Sequence, residues 1–297
     1  MGLLVFDIGG SAVKYGYWDG TQLKGKSQFK TPITWSAMKD ELQQVKETLA
    51  SEYLIEGVGF SAPGVVNADK RQINGISAVP YIHNFDIYTE LEEIFNVPVA
   101  IENDANCAGM AEFYEGAGKE FTNVAFVVIG TGVGGALFTE GKLTRGAHLY
   151  GGEFGMMFLD KDKTFSELGT AVQMAWRYSE RKNLPKDAYT GKEVFDLAEA
   201  GDSLAQEEVE NFYNYLTKGL FNIQFSFDPD ILVLGGGISA KAGLVEEVNR
   251  RMSKLLDKAG LHDFIPDIRL CDYRNDANLI GAAANYNAVY QSERAEV

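Results

Sequence analysis

Three glycine-rich turns and one acidic turn hold the residue types that can move a phosphoryl group. Asp7-Ile-Gly-Gly-Ser-Ala-Val-Lys14 sets Gly9, Gly10 and Ser11 directly after an apolar run. Glycine carries no Cβ, so such a turn lets backbone N–H groups approach phosphate oxygens. Asp7 is placed to hold Mg²⁺ through water, since magnesium keeps much of its hydration shell. Lys14 adds positive charge there or points to solvent. Gly130-Thr131-Gly132-Val-Gly-Gly135 follows a second apolar run, and Gly235-Gly236-Gly237 follows a third. The second turn lacks the Gly-Lys-Ser/Thr ending of a Walker A loop and the strand–helix setting of a dinucleotide fingerprint. We read two phosphate turns and a nucleoside loop, although an ordinary hairpin turn explains any one of them alone.

Ile101-Glu-Asn-Asp-Ala-Asn106 places Asn103 and Asp104 between a buried strand and a helix, where open α/β folds bind ligands. A hydroxyl attacking a phosphoryl group needs a base for its proton. Asp104 suits that role, with Asn103 as a hydrogen-bond partner for a sugar; Asp104 as a plain helix N-cap is the alternative. Gly151-Gly-Glu153-Phe-Gly-Met-Met157 sets one carboxylate among small and apolar residues. An unpaired buried charge is costly, so Glu153 calls for sugar hydroxyls, a salt bridge to Arg145, or solvent. Gly64 of the Ser61-Ala-Pro-Gly64 loop, Asn84 of His83-Asn84, and His148 complete the candidate substrate residues. The histidines at 83, 148 and 262 are too far apart in sequence to argue a metal site or a nucleophilic triad.

The surrounding pattern must position these residues. Leu3–Gly20 and Val124–Gly141 read as two copies of one strand–turn–strand unit, with Gly9 on Gly130, Gly20 on Gly141 and Gly25 on Gly146. The spacing predicts helices over 34–52, 87–95, 204–227, 244–258 and 275–291, and another starting at Asp104. Strands are expected at 55–60, 97–101, 231–234 and 268–270. Strand–helix alternation with paired hairpins implies an α/β fold of two lobes.

With 297 residues, 45% of them hydrophobic, the chain has enough material for real cores. Its 27 basic against 42 acidic residues give a net charge of −15, which argues against nucleic acid or an anionic membrane as partner. Cys107 and Cys271 make no disulfide framework and no zinc ribbon. No basic, apolar leader opens the chain and no run nears the roughly 18 residues of a membrane span, so a cytoplasmic home is expected.

Taken together, the motifs resemble the ROK family (repressors, open reading frames and kinases) of the actin-like sugar kinase fold, over nearly the whole chain. Asp7-Ile-Gly-Gly-Ser11 is similar to its first phosphate motif and Glu102-Asn-Asp-Ala-Asn106 to its catalytic motif. Ile129–Gly135 resembles the second phosphate motif, Gly152-Glu-Phe-Gly155 the sugar motif, and Leu234–Ser239 the adenosine segment. The resemblance implies a two-lobed actin-like ATPase fold (sugar kinase/Hsp70/actin) built from ribonuclease H-like duplicated domains. One lobe is expected at 1–103 plus about 281–297 and the other at 104–280, with a cleft for ATP and sugar between them. It further implies a homodimer, a Mg²⁺-dependent kinase of a hexose or β-glucoside 6-hydroxyl, Asp104 as general base, and Asn103 and Glu153 on the sugar. The chain departs from the family in one respect. Met156 stands where many members carry a sugar-gripping histidine, and 161–169 lacks the cysteine cluster that holds zinc. No zinc site is expected, and the pocket opens to a substituent at C1, as in β-glucoside kinases; glucokinase and N-acetylmannosamine kinase are the alternatives. Glu167 is a candidate for the family's second sugar glutamate. A sugar-binding regulator without catalysis is the alternative of another class; the intact Asp7, Asp104 and phosphate turns argue against it. With the first phosphate motif beginning at Asp7, the repressors' N-terminal helix-turn-helix is not expected.

Overall fold

The computed structural model describes residues 1–290, and its contacts divide the chain into two compact units. The first contains Met1–Tyr114, Arg145–Tyr150 and the chain from Asn275; the second contains Glu115–Thr144 and Gly151–Arg274.

In the first unit β1 (Leu3–Ile8) is buried along its whole length, as an apolar strand interrupted only by Asp7 near its end. β2 (Ala12–Trp18) and β3 (Leu23–Lys30) extend it as an antiparallel meander. Thr34 caps α1 (Trp35–Ala50), its side chain accepting the Ala37 N–H, and Met38, Leu42, Val45 and Leu49 form the buried stripe at helical spacing. β4 (Gly57–Ala62) pairs in parallel with β1. β5 (Val65–Asn67) and β6 (Gln72–Asn74) make a small hairpin. α2 (Ile87–Phe95) ends on Asn96 in the left-handed conformation. β7 (Val99–Asn103) lies parallel to β4, starting two residues later than its hydrophobicity suggests; Pro98 has no N–H for the ladder, though its carbonyl accepts from Val58. The sheet order is β3-β2-β1-β4-β7, and α3 (Asp104–Tyr114) leaves β7 with no intervening loop.

The second unit repeats the plan. β8 (Val124–Ile129), β9 (Val133–Thr139) and β10 (Lys142–Leu143) form the meander. The short pair β11 (Phe158–Asp160) and β12 (Lys163–Thr164) is followed by α4 (Phe165–Leu168), α5 (Ala171–Arg181), α6 (Gly191–Glu199) and α7 (Ser203–Phe227). β13 (Ile231–Gly235), α8 (Leu244–Lys258) and β14 (Ile268–Leu270) complete it, in the order β10-β9-β8-β13-β14. Matching strand order and matching glycine turns make the sheets duplicates, as the repeated hairpin motif predicts. The core of this unit gathers β8, β9 and β13 side chains with Phe165, Tyr178, Phe212, Leu216 and Leu220 of the helices.

α9 (Ala277–Tyr290) returns to the first unit; Gln291 of the expected helix, and 291–297 of the expected lobe, lie outside the described residues. The sequence division at 103/104 differs from the observed one, which keeps α3 in the first unit. The reason is close backbone packing: a Cβ on Gly281 would lie 1.7 Å from the Cys107 carbonyl oxygen, and one on Gly59 2.5 Å from that of Ala282. Among the described residues no helix is long and apolar enough to cross a membrane.

Candidate active site

Parallel pairing of β1, β4 and β7 brings their C-terminal ends to one sheet edge. Asp7 and Gly9–Ser11, the loop to Gly64, and Asn103–Asp104 all fall there. Asp7 Oδ1 accepts from Ser61 Oγ at 2.9 Å and from Asn278 Nδ2 at 2.9 Å. Its other oxygen lies 3.8 Å from Lys14 Nζ, since Lys14 stands opposite Asp7 in the ladder. The glycine turn closes by Gly9 N–H to the Ala12 carbonyl, and Thr31 holds its outside, donating to the carbonyls of Gly9 (2.6 Å) and Ser11 (3.1 Å). Gly10 is required by crowding, because a Cβ there would sit 2.7 Å from that of Ala78. Among the described residues no three His, Cys, Asp or Glu side chains gather to hold a metal. The Asp7 carboxylate suits a magnesium ion that keeps water and nucleotide phosphates as most of its ligands.

Asn103, and not Asp104, caps α3. Its Oδ1 accepts from the N–H groups of Ala105 (2.9 Å) and Asn106 (3.2 Å), while its Nδ2 donates to the Gly64 carbonyl at 2.9 Å. Both residue types cap well, and the position one step outside the helix decides. The Asp104 carboxylate accepts the Ala105 N–H at 2.8 Å. Burial pushes the Asp104 carboxyl above the usual carboxylate range and the Asp7 charge adds to this, against the pull of the Ala105 N–H. Gly64 has φ of 113°, and a Cβ on it would meet His83 at 2.8 Å. His83 bonds Ser77 Oγ through Nε2 at 2.7 Å. Asn84, at φ of 64°, accepts from Asn74 Nδ2, so it ties the β5–β6 hairpin while His83 lies beside Gly64.

Arg145 pairs with Glu102: Nη2 and Nε lie 2.6 and 2.8 Å from Glu102 Oε2. Glu102 is buried, and its other oxygen takes the Asn103 N–H (2.7 Å) and Asn106 Nδ2 (3.0 Å). This clasp braces the first turn of α3, which carries Asp104. Removing one partner strands a buried charge, so Arg145→Met is expected to cost about 2–3 kcal/mol, allowing for the partial exposure of the arginine. Adding Glu102→Met should recover much of that loss. Urea unfolding of the two single variants and the double variant measures the coupling, and additive effects would remove the clasp.

In the second unit, Gly130 N–H closes its turn on the Gly132 carbonyl. Ser166 Oγ accepts the Val133 N–H at 2.9 Å and Thr170 Oγ1 donates to the Thr131 carbonyl at 3.3 Å, so α4 and the cap of α5 brace the second phosphate turn. The Glu153 loop packs against the same hairpin. A Cβ on Gly152 would lie 2.6 Å from the Gly135 carbonyl oxygen and one on Gly155 2.0 Å from that of Val133. Glu153 is exposed beside it. Glu167 is engaged elsewhere: it forms a capping box with Thr164, whose backbone N–H and hydroxyl lower its carboxyl below the usual range. His148 belongs to the Arg145–Tyr150 segment of the first unit and is exposed. Gly130 and Gly237 line a cavity of about 640 Å³, together with Ile129, Ala171, Phe195 and Ile238. Gly235 and Gly236 are not among the residues that line it: Gly235 abuts Phe126, and Gly236, at φ of 84°, abuts the Ile129 carbonyl.

Ser61, Asn278, Ser166, Thr170 and Phe195 escaped the sequence reading. Ser61 belongs to the quoted Gly64 loop and Ser166 precedes Glu167. The others approach their partners through tertiary folding alone.

A model of the ROK family matches residues 4–288. The chain is similar to the β-glucoside kinase of Klebsiella pneumoniae, at 34% identity over 98% of both chains. Among solved structures it resembles a ROK family protein from Streptococcus pneumoniae in complex with sucrose, with 35% identity, 98% and 100% coverage and a TM-score of 0.89. The ROK hexokinase of Thermus thermophilus superposes with a TM-score of 0.85 at 27% identity, over 98% of this chain and all of that one.

Proposed function

The chain belongs to the ROK family and is a carbohydrate kinase of it; on that premise we propose that it moves the γ-phosphoryl group of ATP to the 6-hydroxyl of a glucosyl unit substituted at C1, with Asp104 as general base. The observation that carries the reading is the setting of Asp104. Its carboxylate stands at the strand edge, accepts the Ala105 N–H, and has its affinity for a proton raised by burial.

In this reading the N–H groups around Gly9–Ser11 and Thr131–Gly132 hold the phosphates, and the cavity behind Gly237 takes the nucleoside. Mg²⁺, which Asp7 would hold through water with Lys14 nearby, supplies charge neutralisation to the phosphates. Asn103 orients the base through its bonds to α3 and offers its remaining N–H to the sugar. Asp104 then takes the proton of the 6-hydroxyl as the oxygen attacks in line. Gly64, His148 and Glu153 are the further sugar contacts, with Asn84 steadying the hairpin beside them.

Three facts support an acceptor larger than glucose. The Klebsiella relative is a β-glucoside kinase, and the Streptococcus relative binds sucrose, a glucosyl unit carrying a second sugar. Met156, three residues after Glu153, is 70% exposed and brings no hydrogen-bond donor to C1. We place the enzyme in the cytoplasm, acting as a homodimer. An apolar surface cluster, with Phe225 and Phe264 6.1 Å apart beside exposed Ile265, supports self-association.

The test is ATP-dependent ADP release with cellobiose, glucose, N-acetylmannosamine, fructose or no sugar. Higher kcat/KM on cellobiose than on glucose is expected. A preference for glucose or N-acetylmannosamine would keep the kinase and reject the β-glucoside acceptor.

A further inference from the structure

The cavity of the second unit also bears on which nucleotide is used. Resting on the reading that it takes the nucleoside end of ATP, we infer that it selects purines as a class and distinguishes only weakly among them, so that GTP and ITP also serve as phosphoryl donors.

The walls are apolar: Ile129, Val172, Phe195, Ile238 and Ala240 face the space. Its charged lining residues are four, and they are paired with one another. Lys192 lies 2.6 Å from Asp196, and Lys241 3.1 Å from Glu199. The Lys241 ammonium also stands 5.1 Å from the centre of the Phe195 ring, which leaves its stem along the wall. The Asp196 and Glu199 side chains are 56% and 70% exposed, so both reach water.

Adenine and guanine differ at C6, an amino group against a carbonyl, at N1, an acceptor against an N–H donor, and at the 2-amino group of guanine. Strong discrimination between them needs a buried donor or acceptor that one base satisfies and the other strands. Side chains that are both solvated and ion-paired lose nothing when the wrong base enters, because water and their partner remain. Stacking on an apolar wall rewards ring area, which purines share. CTP and UTP cover less of that wall and should be poorer donors.

The test measures kcat/KM for ATP, GTP, ITP, CTP and UTP at a saturating acceptor, by quantifying the sugar phosphate itself. GTP and ITP are expected within about 30-fold of ATP, the range that an apolar pocket can discriminate, with the pyrimidines lowest. Asp196→Asn and Glu199→Gln should change the ATP-to-GTP ratio by less than about threefold, since neither carboxylate reads the base. A preference for ATP beyond 30-fold over both purines, or a larger change of the ratio in either variant, overturns the inference; main-chain or carboxylate groups would then be reading the base. If ATP itself supports transfer to no sugar, the assigned function fails and this inference falls with it.

Discussion

Asp104→Asn is expected to lower kcat by about 10³-fold while changing the sugar KM by no more than about threefold. The amide keeps the Oδ1 that accepts the Ala105 N–H, and Asn103 continues to cap α3, so geometry survives while the base is lost. The same substitution should raise stability at neutral pH. Burial raises the folded-state pKa of Asp104, so its contribution to stability is full below the unfolded pKa and is lost as pH rises through the folded one. At pH 7 the wild type therefore carries a cost that asparagine avoids, and the gap should close as pH falls into the carboxylate range. The raised pKa also moves the acid limb of kcat/KM above the position of an ordinary aspartate. Steady-state kinetics and urea unfolding across pH check both halves. A variant with wild-type turnover would take the base away from Asp104, and one less stable at pH 7 would mean that the carboxylate is a structural asset.

Gly281→Val should be the most damaging single change to the fold. A Cβ there would fall 1.7 Å from the Cys107 carbonyl oxygen, and no rotamer relieves a clash between backbones. α9 would have to move off α3, taking with it the contacts of Ala282 on β4 and the Asn278 bond to Asp7. A loss of more than about 3 kcal/mol is expected, beyond ordinary overpacking, because the obstacle is main chain. Urea midpoints and soluble yield measure it. Unfolding within about 1 kcal/mol of wild type would show that the two helices can separate at little cost.

The elements whose signals are local were legible beforehand. α2 begins and ends where its apolar spacing placed it, and the Asp19-Gly20 and Glu140-Gly141 turns sit at equivalent points of the two meanders. The glycine turns and the Glu102–Asn106 turn were found because chemistry and spacing coincide in a few residues. Tertiary partners were not legible. Nothing near Asp7 announces Asn278, 271 residues away, and nothing near Arg145 announces Glu102, 43 residues away. Asn103 and Asp104 are both good caps, and only the helix start separates them. Glu167 illustrates a signal present but outweighed: Thr164-x-x-Glu167 is a capping box in the sequence, and that is the role the structure gives it.

The phosphorylated sugar identifies the acceptor oxygen. Incubation with ATP, magnesium and cellobiose, followed by phosphorus–proton correlation NMR, should place the phosphoryl group on O6 of the non-reducing glucosyl unit. A phosphate on the anomeric oxygen or on the reducing unit, or unchanged cellobiose in the presence of an active enzyme, would contradict the proposed transfer.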